Sequence, residues 1–474
     1  MGVVFFKKKF SDISKSHYLF STFNFFKLRK LIDEDLSYLQ IRLSQYFEII
    51  SGFAFSSKDY LEDGISVCRI GDISKYNELL IDEMLKLPEE YAEDYSKFLI
   101  QNNDILIGLT GDGKFFKTCF VENLEVSVLL NQRVGIIRGK KGVENISPKF
   151  ISLLFNSEKV QNQIRIVAMG KTQKNVSPFD ILTVKIPKLE YDAQINLLKL
   201  IQPIETEITH LKNSKQKTLD IINEVFGEAF SFDWEEFEKL KNEKSYASNL
   251  LAFANNIDCR MGLRFHHKAG KYLHSFLISK TSKKVKDFIS EPIVLGKSVS
   301  PSDYDEEGEY FYIAMSNIKT YAFDPEDCKK VAEDYSKNNL RKTVQKGDIL
   351  LARSGEGTIG KVALIEDEDL TAIFADFTQR IRLTNYNTLF AYYFFRSDFF
   401  QYLVYTHKKG LGNNTNIFPS QIQEFPIPDW DETKQNSIAA KIKTQIDSQN
   451  LIDQQIEQKQ QQINAIIENA IKTQ

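Results

Sequence analysis

Two stretches of the chain alternate apolar and polar positions with a seven-residue period, and each begins just after an Ile-Pro pair. Beyond Pro187, a/d spacing selects Ile201, Ile204, Ile208, Leu211, Lys215, Thr218, Ile222 and Val225, six of eight apolar. Beyond Pro428 it selects Ile442, Gln445, Gln449, Ile452, Ile456, Lys459, Ile463 and Ile466, five of eight apolar. Each stretch reads as a long helix, and about 40 residues at 1.5 Å each make a rod of about 60 Å. Two stripes at equivalent places predict an antiparallel pair packed seam to seam. The apolar seam is Ile201, Ile204, Ile208, Leu211 and Ile222 on one helix and Ile442, Ile452, Ile456, Ile463 and Ile466 on the other. Polar a/d positions then set register at some cost in stability, and the globular parts lie at opposite ends of the pair.

Upstream of each helix the period shortens. Ile65–Ile70, Asp104–Leu109, Val134–Ile137 and Asp348–Ala352 are short, β-rich runs bounded by Gly, Asn or Asp, which predicts strands. Phe150–Ile166 and Leu389–Val404 have helical spacing. Each half therefore reads as an α/β (α+β) globule followed by a helix.

The halves are copies. The hexapeptide Ala-Glu-Asp-Tyr-Ser-Lys stands at 92–97 and again at 332–337. Gly52, Asp59, Tyr60 and Gly64 match Gly296, Asp303, Tyr304 and Gly308, and Asp104-Ile-Leu matches Asp348-Ile-Leu. Gln132-Arg133-Val134 matches Gln379-Arg380-Ile381, and Phe155-x-Ser157-x3-Gln161 matches Phe395-x-Ser397-x3-Gln401. Asn175-Val-x-Pro178 through Ile186-Pro187 matches Asn416-Ile-x-Pro419 through Ile427-Pro428. Six matches in one order, at spacings of 240–247, establish a tandem duplication. The expected domains are a globule at 1–188 (with 1–40 poorly defined), a helix at 189–230, a second globule at 231–429 and a second helix at 430–474.

Composition narrows the function. With 474 residues, 42% apolar and 26% charged, the chain is an ordinary multidomain globular protein. No apolar run reaches the ~18 residues that a spanning helix needs, and the N-terminus has its charges after its apolar patch, the reverse of a secretory signal. Four scattered cysteines make neither a disulfide framework nor a zinc spacing and suit a reducing cytoplasm. Net charge is −3, yet the charge is segregated. Arg260–Lys286 holds eight Lys/Arg and no acid, Met1–Lys30 seven against one, Val160–Lys188 five against one, and Arg133–Lys141 four against none. Segregated positive charge in a duplicated molecule fits two phosphate-facing surfaces.

Catalytic motifs fail on inspection. Gly108–Lys114 and Gly355–Lys361 have phosphate-loop spacing, but Phe115 and Val362 stand where Ser or Thr must hold magnesium. Aligning Asp104 with Asp348 pairs Gly111 with Gly355 and Lys117 with Lys361, leaving a turn with a basic tip. Asp429 and Glu432-x-Lys434 lie too close together for a nuclease hairpin and suit a helix start, and His266, His267 and His274 lack completing ligands. The base readers expected are the amide-rich stretches Lys171, Thr172, Gln173, Lys174, Asn175 and Asn413, Asn414, Thr415, Asn416, since amides pair with adenine and Lys or Arg with guanine. Further expected DNA contacts in the first half are Ser56, Ser57, Lys58, Arg69, Lys114, Lys117 and Arg133. Those in the second are Arg264, Lys268, Arg353, Lys361, Arg380, Lys408 and Lys409.

The ordered motifs, their duplication and the helices resemble the DNA-specificity subunits of type I restriction–modification systems. The resemblance rests on Gly52-Phe-Ala-Phe-Ser-Ser-Lys-Asp-Tyr60 with Gly64, the Asp-Ile-Leu runs before a Gly turn, Gln-Arg-Val/Ile, and the polar stretches leading to Ile-Pro. It implies two target-recognition domains held apart by an antiparallel helix pair, each reading half of an asymmetric, bipartite site on duplex DNA. The partners implied are two methyltransferase subunits and, in a complete system, two restriction subunits. S-adenosylmethionine, ATP and magnesium would then bind those partners, with no cofactor or metal on this chain. The rival readings are a metal-dependent nuclease working through the Gly-Asp-Ile-Leu turns and a coiled-coil scaffold without DNA specificity.

Overall fold

Short aliphatic runs closed by Gly, Asn or Asp form the buried strands of both globules, and amphipathic helices cover them. The structure, a computed structural model, describes residues 39–472 except 75–76, 112–114, 171–172, 248–250, 252–259, 320–322, 326–327 and 411–413. Lys114, Lys171, Thr172, Asn413 and the basic run 1–30 lie outside the described residues. The chain divides into two units, one of residues 1–213 with 454–474 and one of residues 214–453.

In the first unit, β1 (Leu39–Arg42) pairs antiparallel with a late strand, and β2 (Phe47–Ser51) edges the main sheet. The others are β3 (Ile65–Cys68), β4 (Leu85–Leu87), β5 (Ile105–Gly108), β6 (Thr110–Gly111), β7 (Thr118–Phe120), β8 (Val128–Leu130) and β9 (Val134–Gly139). The main sheet is antiparallel in the order β2-β9-β5-β7, and a smaller sheet has the order β4-β3-β8 with β3 and β8 parallel. Next come α1 (Pro148–Phe155), α2 (Glu158–Val167), β10 (Lys174–Asn175), α3 (Pro178–Leu182), β11 (Lys185–Pro187) and α4 (Tyr191–Asn213). β6 pairs with β10, and β1 with β11.

The second unit opens with α5 (Thr218–Phe230), α6 (Trp234–Lys241) and α7 (Lys268–Lys280). Its sheets are β12-β18-β15-β16 and β14-β13-β17, where β12 is Val294–Leu295, β13 Tyr310–Ile313, β14 Lys329–Val331 and β15 Ile349–Ala352. The remaining strands are β16 (Val362–Leu364), β17 (Ala372–Phe374) and β18 (Thr378–Ile381), followed by α8 (Thr388–Arg396), α9 (Asp398–His407), α10 (Pro419–Ile422) and α11 (Glu432–Lys472). An aromatic core that includes Phe226, Phe230, Phe390, Phe394 and Phe399 packs α5 against α8 and α9.

Strand registers give the true frame of the repeat. Ile105 faces Ile137 and Ile107 faces Gly135, as Ile349 faces Ile381 and Leu351 faces Gln379. The spacing is 244 residues at Gly52/Gly296 and again from Leu87/Val331 to Arg138/Arg382, with one extra residue at β3/β13, where Ser66 faces Val128 as Phe311 faces Ala372. Both copies show the glycine match: a Cβ on Gly52 would strike Asn131 and Leu130 carbonyl oxygens, and one on Gly296 those of Ala375 and Phe374. This corrects two of the matches. Gln132-Arg133 is three residues out of register with Gln379-Arg380, so Arg133 corresponds to Phe377 and Arg380 to Ile136. The identical hexapeptides are four residues out: the Leu99 N–H bonds the Ser96 carbonyl as the Thr343 N–H bonds that of Leu340, which pairs Tyr95 with Asn339.

The repeated Phe-x-Ser-x3-Gln is a device for breaking a helix. Instead of the single expected helix, each half has two, α1 and α2 or α8 and α9. The Ser157 hydroxyl donates to the Leu154 carbonyl and caps Val160, while Ser397 Oγ donates to the Phe394 carbonyl. Gln161 Nε2 then donates to the carbonyls of Phe155 and Phe116, and Gln401 Nε2 to those of Phe395 and Gly360, tying the break to the turn after the central strand.

The first long helix is also interrupted, at residues 214–217. Five polar residues, Asn213-Ser-Lys-Gln-Lys217, make the weak point. Within the second unit α11 satisfies it: Lys215 pairs with Asp453 at 2.7 Å, and the Gln216 N–H donates to Gln449 Oε1 at 2.9 Å. With Glu228 on Lys441 at 2.5 Å, the contacts run in opposite chain directions, so α5 and α11 are antiparallel. In the first unit Glu207 pairs with Lys459. Ile201, Ile208, Ile222, Ile442, Ile456 and Ile463 are buried, whereas Ile204, Leu211, Ile452 and Ile466 are half-buried. At the C-terminal end the stripe moves to Ile467 and Ile471, a period of four where seven-residue spacing places Ile466. Asp431, a residue the sequence reading did not single out, accepts the Lys434 N–H at the start of α11, and Glu432 is that helix's first residue.

The two globules are entered alike: the Leu43 N–H donates to the Val184 carbonyl and the Val285 N–H to that of Phe425.

Candidate nucleic-acid interface

In each globule one rim gathers three segments: the turn after the central strand, the residues entering the next strand, and the amide-rich hairpin. In the first, Met169 and Asn175 exchange backbone bonds at 2.7 and 2.8 Å, and the Val176 N–H reaches the Leu109 carbonyl at 2.9 Å. Gly170 makes the hairpin possible, for its φ is +127° and a Cβ would lie 2.0 Å from the Gln173 carbonyl oxygen. The Leu109 N–H donates to the Arg133 carbonyl, and an Arg133 guanidinium nitrogen lies 3.4 Å from Gln173 Oε1. Arg133, Gln173 and Asn175 are exposed and adjoining, while Lys174 turns back onto the Gly170 carbonyl at 2.5 Å.

The second globule builds the same rim with other side chains. Lys409 and Asn416 exchange two 2.7 Å bonds, and the Ile417 N–H reaches the Arg353 carbonyl at 2.8 Å. Gly410 has φ +101°, and a Cβ there would lie 2.2 Å from the Asn414 carbonyl oxygen. Asn414 is exposed at the tip. The arginine has changed sides. Leu109 of the first globule is Arg353 in the second, and Arg133 is Phe377. Arg353 bonds the Asp376 carbonyl at 3.1 Å and lies 5.9 Å from the Phe418 ring, beside exposed Phe377. The exchange of Arg133 for Phe377 is invisible while Arg133 is matched to Arg380. Carrying the Asp104/Asp348 spacing forward to the next strand would have shown it.

Several expected contacts are spent on the fold. Arg380, 5% exposed, occupies the inward position of Ile136 and bonds the Thr343 carbonyl and Glu291. Lys408, 4% exposed, pairs with Glu356 at 2.7 Å, and buried Thr415 donates to the same carboxylate at 3.1 Å. Those two bonds hold Glu356 below the usual carboxylate range and lock the turn to the hairpin. Lys117, expected as a free basic tip, donates to the Ile73 carbonyl at 2.7 Å. Arg69 pairs with Asp72, and Lys268 with Glu243. Lys361 is half-buried, and Arg264 lies over Tyr405. Ser56, Ser57 and Lys58 form an exposed turn in which Ser56 accepts the Lys58 N–H. Among the histidines, His266 Nε2 lies 2.5 Å from the Arg260 carbonyl oxygen, and burial pushes His407 down to about 4.

Sequence reading missed the pair of arginines the repeat shares. Arg138 grips Asp104 through two bonds at 2.7 and 2.6 Å, and Arg382 grips Asp348 through two at 2.7 Å. The same carboxylates accept the Gln101 and Gln345 N–H groups. The carboxylates of the two Asp-Ile-Leu runs thus brace strands and turns, which removes the groups that a nuclease reading requires.

The family model for the type I restriction modification DNA specificity domain matches residues 38–219 and again residues 280–465. Comparison with curated proteins gives no match. Among solved structures, one from a study of complex assembly and conformational transition of the type I R-M system aligns at 12% identity and TM-score 0.42, covering 91% of this chain and 96% of that chain. A type I restriction–modification S subunit from M. genitalium aligns at 14% identity and TM-score 0.34, covering 91% and 94%. An HsdS subunit from Thermoanaerobacter tengcongensis aligns at 13% identity and TM-score 0.32, covering 91% and 95%.

Proposed function

The chain belongs to the type I restriction modification DNA specificity domain family, with two copies in tandem, and we propose that each copy reads its own half of one asymmetric, bipartite site on duplex DNA. It is a specificity subunit, and the chemistry of the system resides on its partners. Those partners are two methyltransferase subunits, with two restriction subunits in a complete system. S-adenosylmethionine, ATP and magnesium belong to them. The complex works in the cytoplasm with the DNA, and no helix among the described residues is long and apolar enough to cross a membrane.

The observation that carries this reading is the rim built twice on one backbone plan with its side chains exchanged. A shared backbone gives both globules the same approach to a groove. Arg133 with Gln173 in one, and Arg353 with Asn414 in the other, give them different donors and acceptors for base edges. Two similar surfaces of different chemistry call for two unlike half-sites.

Binding curves against sites mutated in one half at a time test it. Gln173→Ala should weaken discrimination in one half-site and Asn414→Ala in the other, each by about 1–3 kcal/mol, the usual worth of one side chain reading a base edge. A uniform fall in affinity from both would make the hairpins structural turns and the proposal wrong.

A further inference from the structure

The 244-residue frame exposes a second divergence beside the reader rim. In the second globule Lys297 leaves Gly296, and its N–H donates to the Phe374 carbonyl at 3.0 Å. The Tyr312 hydroxyl donates to the Lys297 carbonyl at 2.8 Å, and the Tyr335 hydroxyl to those of Ser298 at 3.0 Å and Lys297 at 3.4 Å. This backbone is therefore rigidly placed against residues 374–378, which end in the Phe377 turn that holds Arg353. Lys342 ends the short helix Leu340–Lys342, and the carbonyl of the next residue, Thr343, accepts from Arg380. Lys297 is exposed and Lys342 half-buried, and neither ammonium has an ion-pair partner among the described residues. Lys342 is held below its ordinary pKa by burial first, then by the neighbouring charges of Arg380 and Lys297. Glu291 already pairs with Arg380 and Arg382, and one Asp303 oxygen accepts the Ser300 N–H. Two ammonium groups kept near one another and near a buried guanidinium make no ion pair among the described residues, although the Asp303 and Asp376 carboxylates lie close enough to act on Tyr335.

The first globule has no such need. Its equivalents of Lys297, Lys342 and Arg380 are Phe53, Phe98 and Ile136. The Phe53 and Phe98 rings lie 5.7 Å apart in a cluster with Phe55 and Tyr95, and Phe53 is 37% exposed. Phe53 is tied to the rim by its carbonyl, which accepts the Gln132 N–H beside Arg133. One place in the fold thus carries an aromatic surface in one copy and paired cations in the other.

We propose that Lys297 and Lys342 bind backbone phosphate in the half-site read by the second globule, while Phe53 and Phe98 give the first globule apolar contact at the equivalent place. The ionic part of binding is then lopsided between half-sites. This rests on the DNA-specificity reading above and adds which residues carry its salt dependence.

The test uses the full chain and a duplex carrying its methylated motif, with affinity measured over a series of salt concentrations. Each neutralised phosphate contributes about 0.9 to the slope of log K against log salt. Lys297→Gln with Lys342→Gln should flatten that slope by about two, Lys297→Arg with Lys342→Arg should preserve it, and Phe53→Leu with Phe98→Leu should leave it unchanged. Methylphosphonates placed singly along the duplex should weaken the wild-type chain but not the Gln variant at phosphates of one half-site only. An unchanged slope in the Gln variant overturns the proposal, as does equal flattening by the Arg variant. A wild-type chain that binds its own motif no better than scrambled DNA refutes instead the reading on which the proposal rests.

Discussion

Removing the carboxylate of Asp104 or of Asp348 should destabilise the two globules unequally, although the two sites look alike. Asp104 accepts Arg138 at 2.7 and 2.6 Å and the Gln101 N–H at 2.7 Å, and Asp348 accepts Arg382 at 2.7 and 2.7 Å and the Gln345 N–H at 2.8 Å. Both carboxylates are buried and both arginine side chains about four-fifths so. Stripping one partner from a buried pair costs about 3–5 kcal/mol, chiefly because the remaining charge is stranded. After Asp104→Ala, Arg138 keeps one hydrogen-bond acceptor, the uncharged Leu99 carbonyl at 3.0 Å, with the Glu48 carboxylate opposite on β2 acting only as a nearby charge. After Asp348→Ala, Arg382 keeps a carboxylate, Glu291 at 3.0 Å. We therefore expect about 3–4 kcal/mol for Asp104→Ala and about 1 kcal/mol less for Asp348→Ala. Urea titration of the full chain, followed by peptide-resolved hydrogen exchange, reports each globule separately. A loss under about 1 kcal/mol in either variant would show the pairs to be incidental. A larger loss for Asp348→Ala would refute the compensating role of Glu291.

Two further changes probe the hairpins and the seam. Gly170→Ala and Gly410→Ala place a Cβ 2.0 and 2.2 Å from a carbonyl oxygen at positive φ, so each should open its hairpin and cost about 1–3 kcal/mol. Each should also relax selectivity in one half-site only, read from binding to singly mutated sites. Ile208→Asp puts an uncompensated carboxylate at a buried seam position and should cost several kcal/mol, measured as a drop in the urea midpoint of the full chain. A midpoint within error of wild type would show that the seam does not hold Ile208.

The duplication, the mixed globules and the helices were legible because they rest on periodicity and turn chemistry, which are local. Register was not. Gln-Arg before a β-branched residue occurs in both halves, yet strand pairing sets Arg133 on the rim and Arg380 in the interior, because a three-residue slip on a two-residue period reverses the face. The identical hexapeptides mislead for a similar reason, being offset by one helical turn within a helical region that tolerates it. The interruption at 214–217 depends on Gln449 and Asp453, more than two hundred residues away, supplying what the broken turn lacks. Of the expected readers, Gln173 and Asn414 stand exposed where chain chemistry placed them. Lys408 and Lys117 found fold partners that spacing could not reveal.

The most direct test of the central claim is the methylome of cells that carry this chain with its methyltransferase partner, sequenced beside cells lacking the chain and cells carrying Asn414→Ala. The account predicts a bipartite, asymmetric methylated motif that vanishes without the chain and becomes degenerate in one half alone with the variant. A continuous motif, or one that loses selectivity in both halves together, would contradict it.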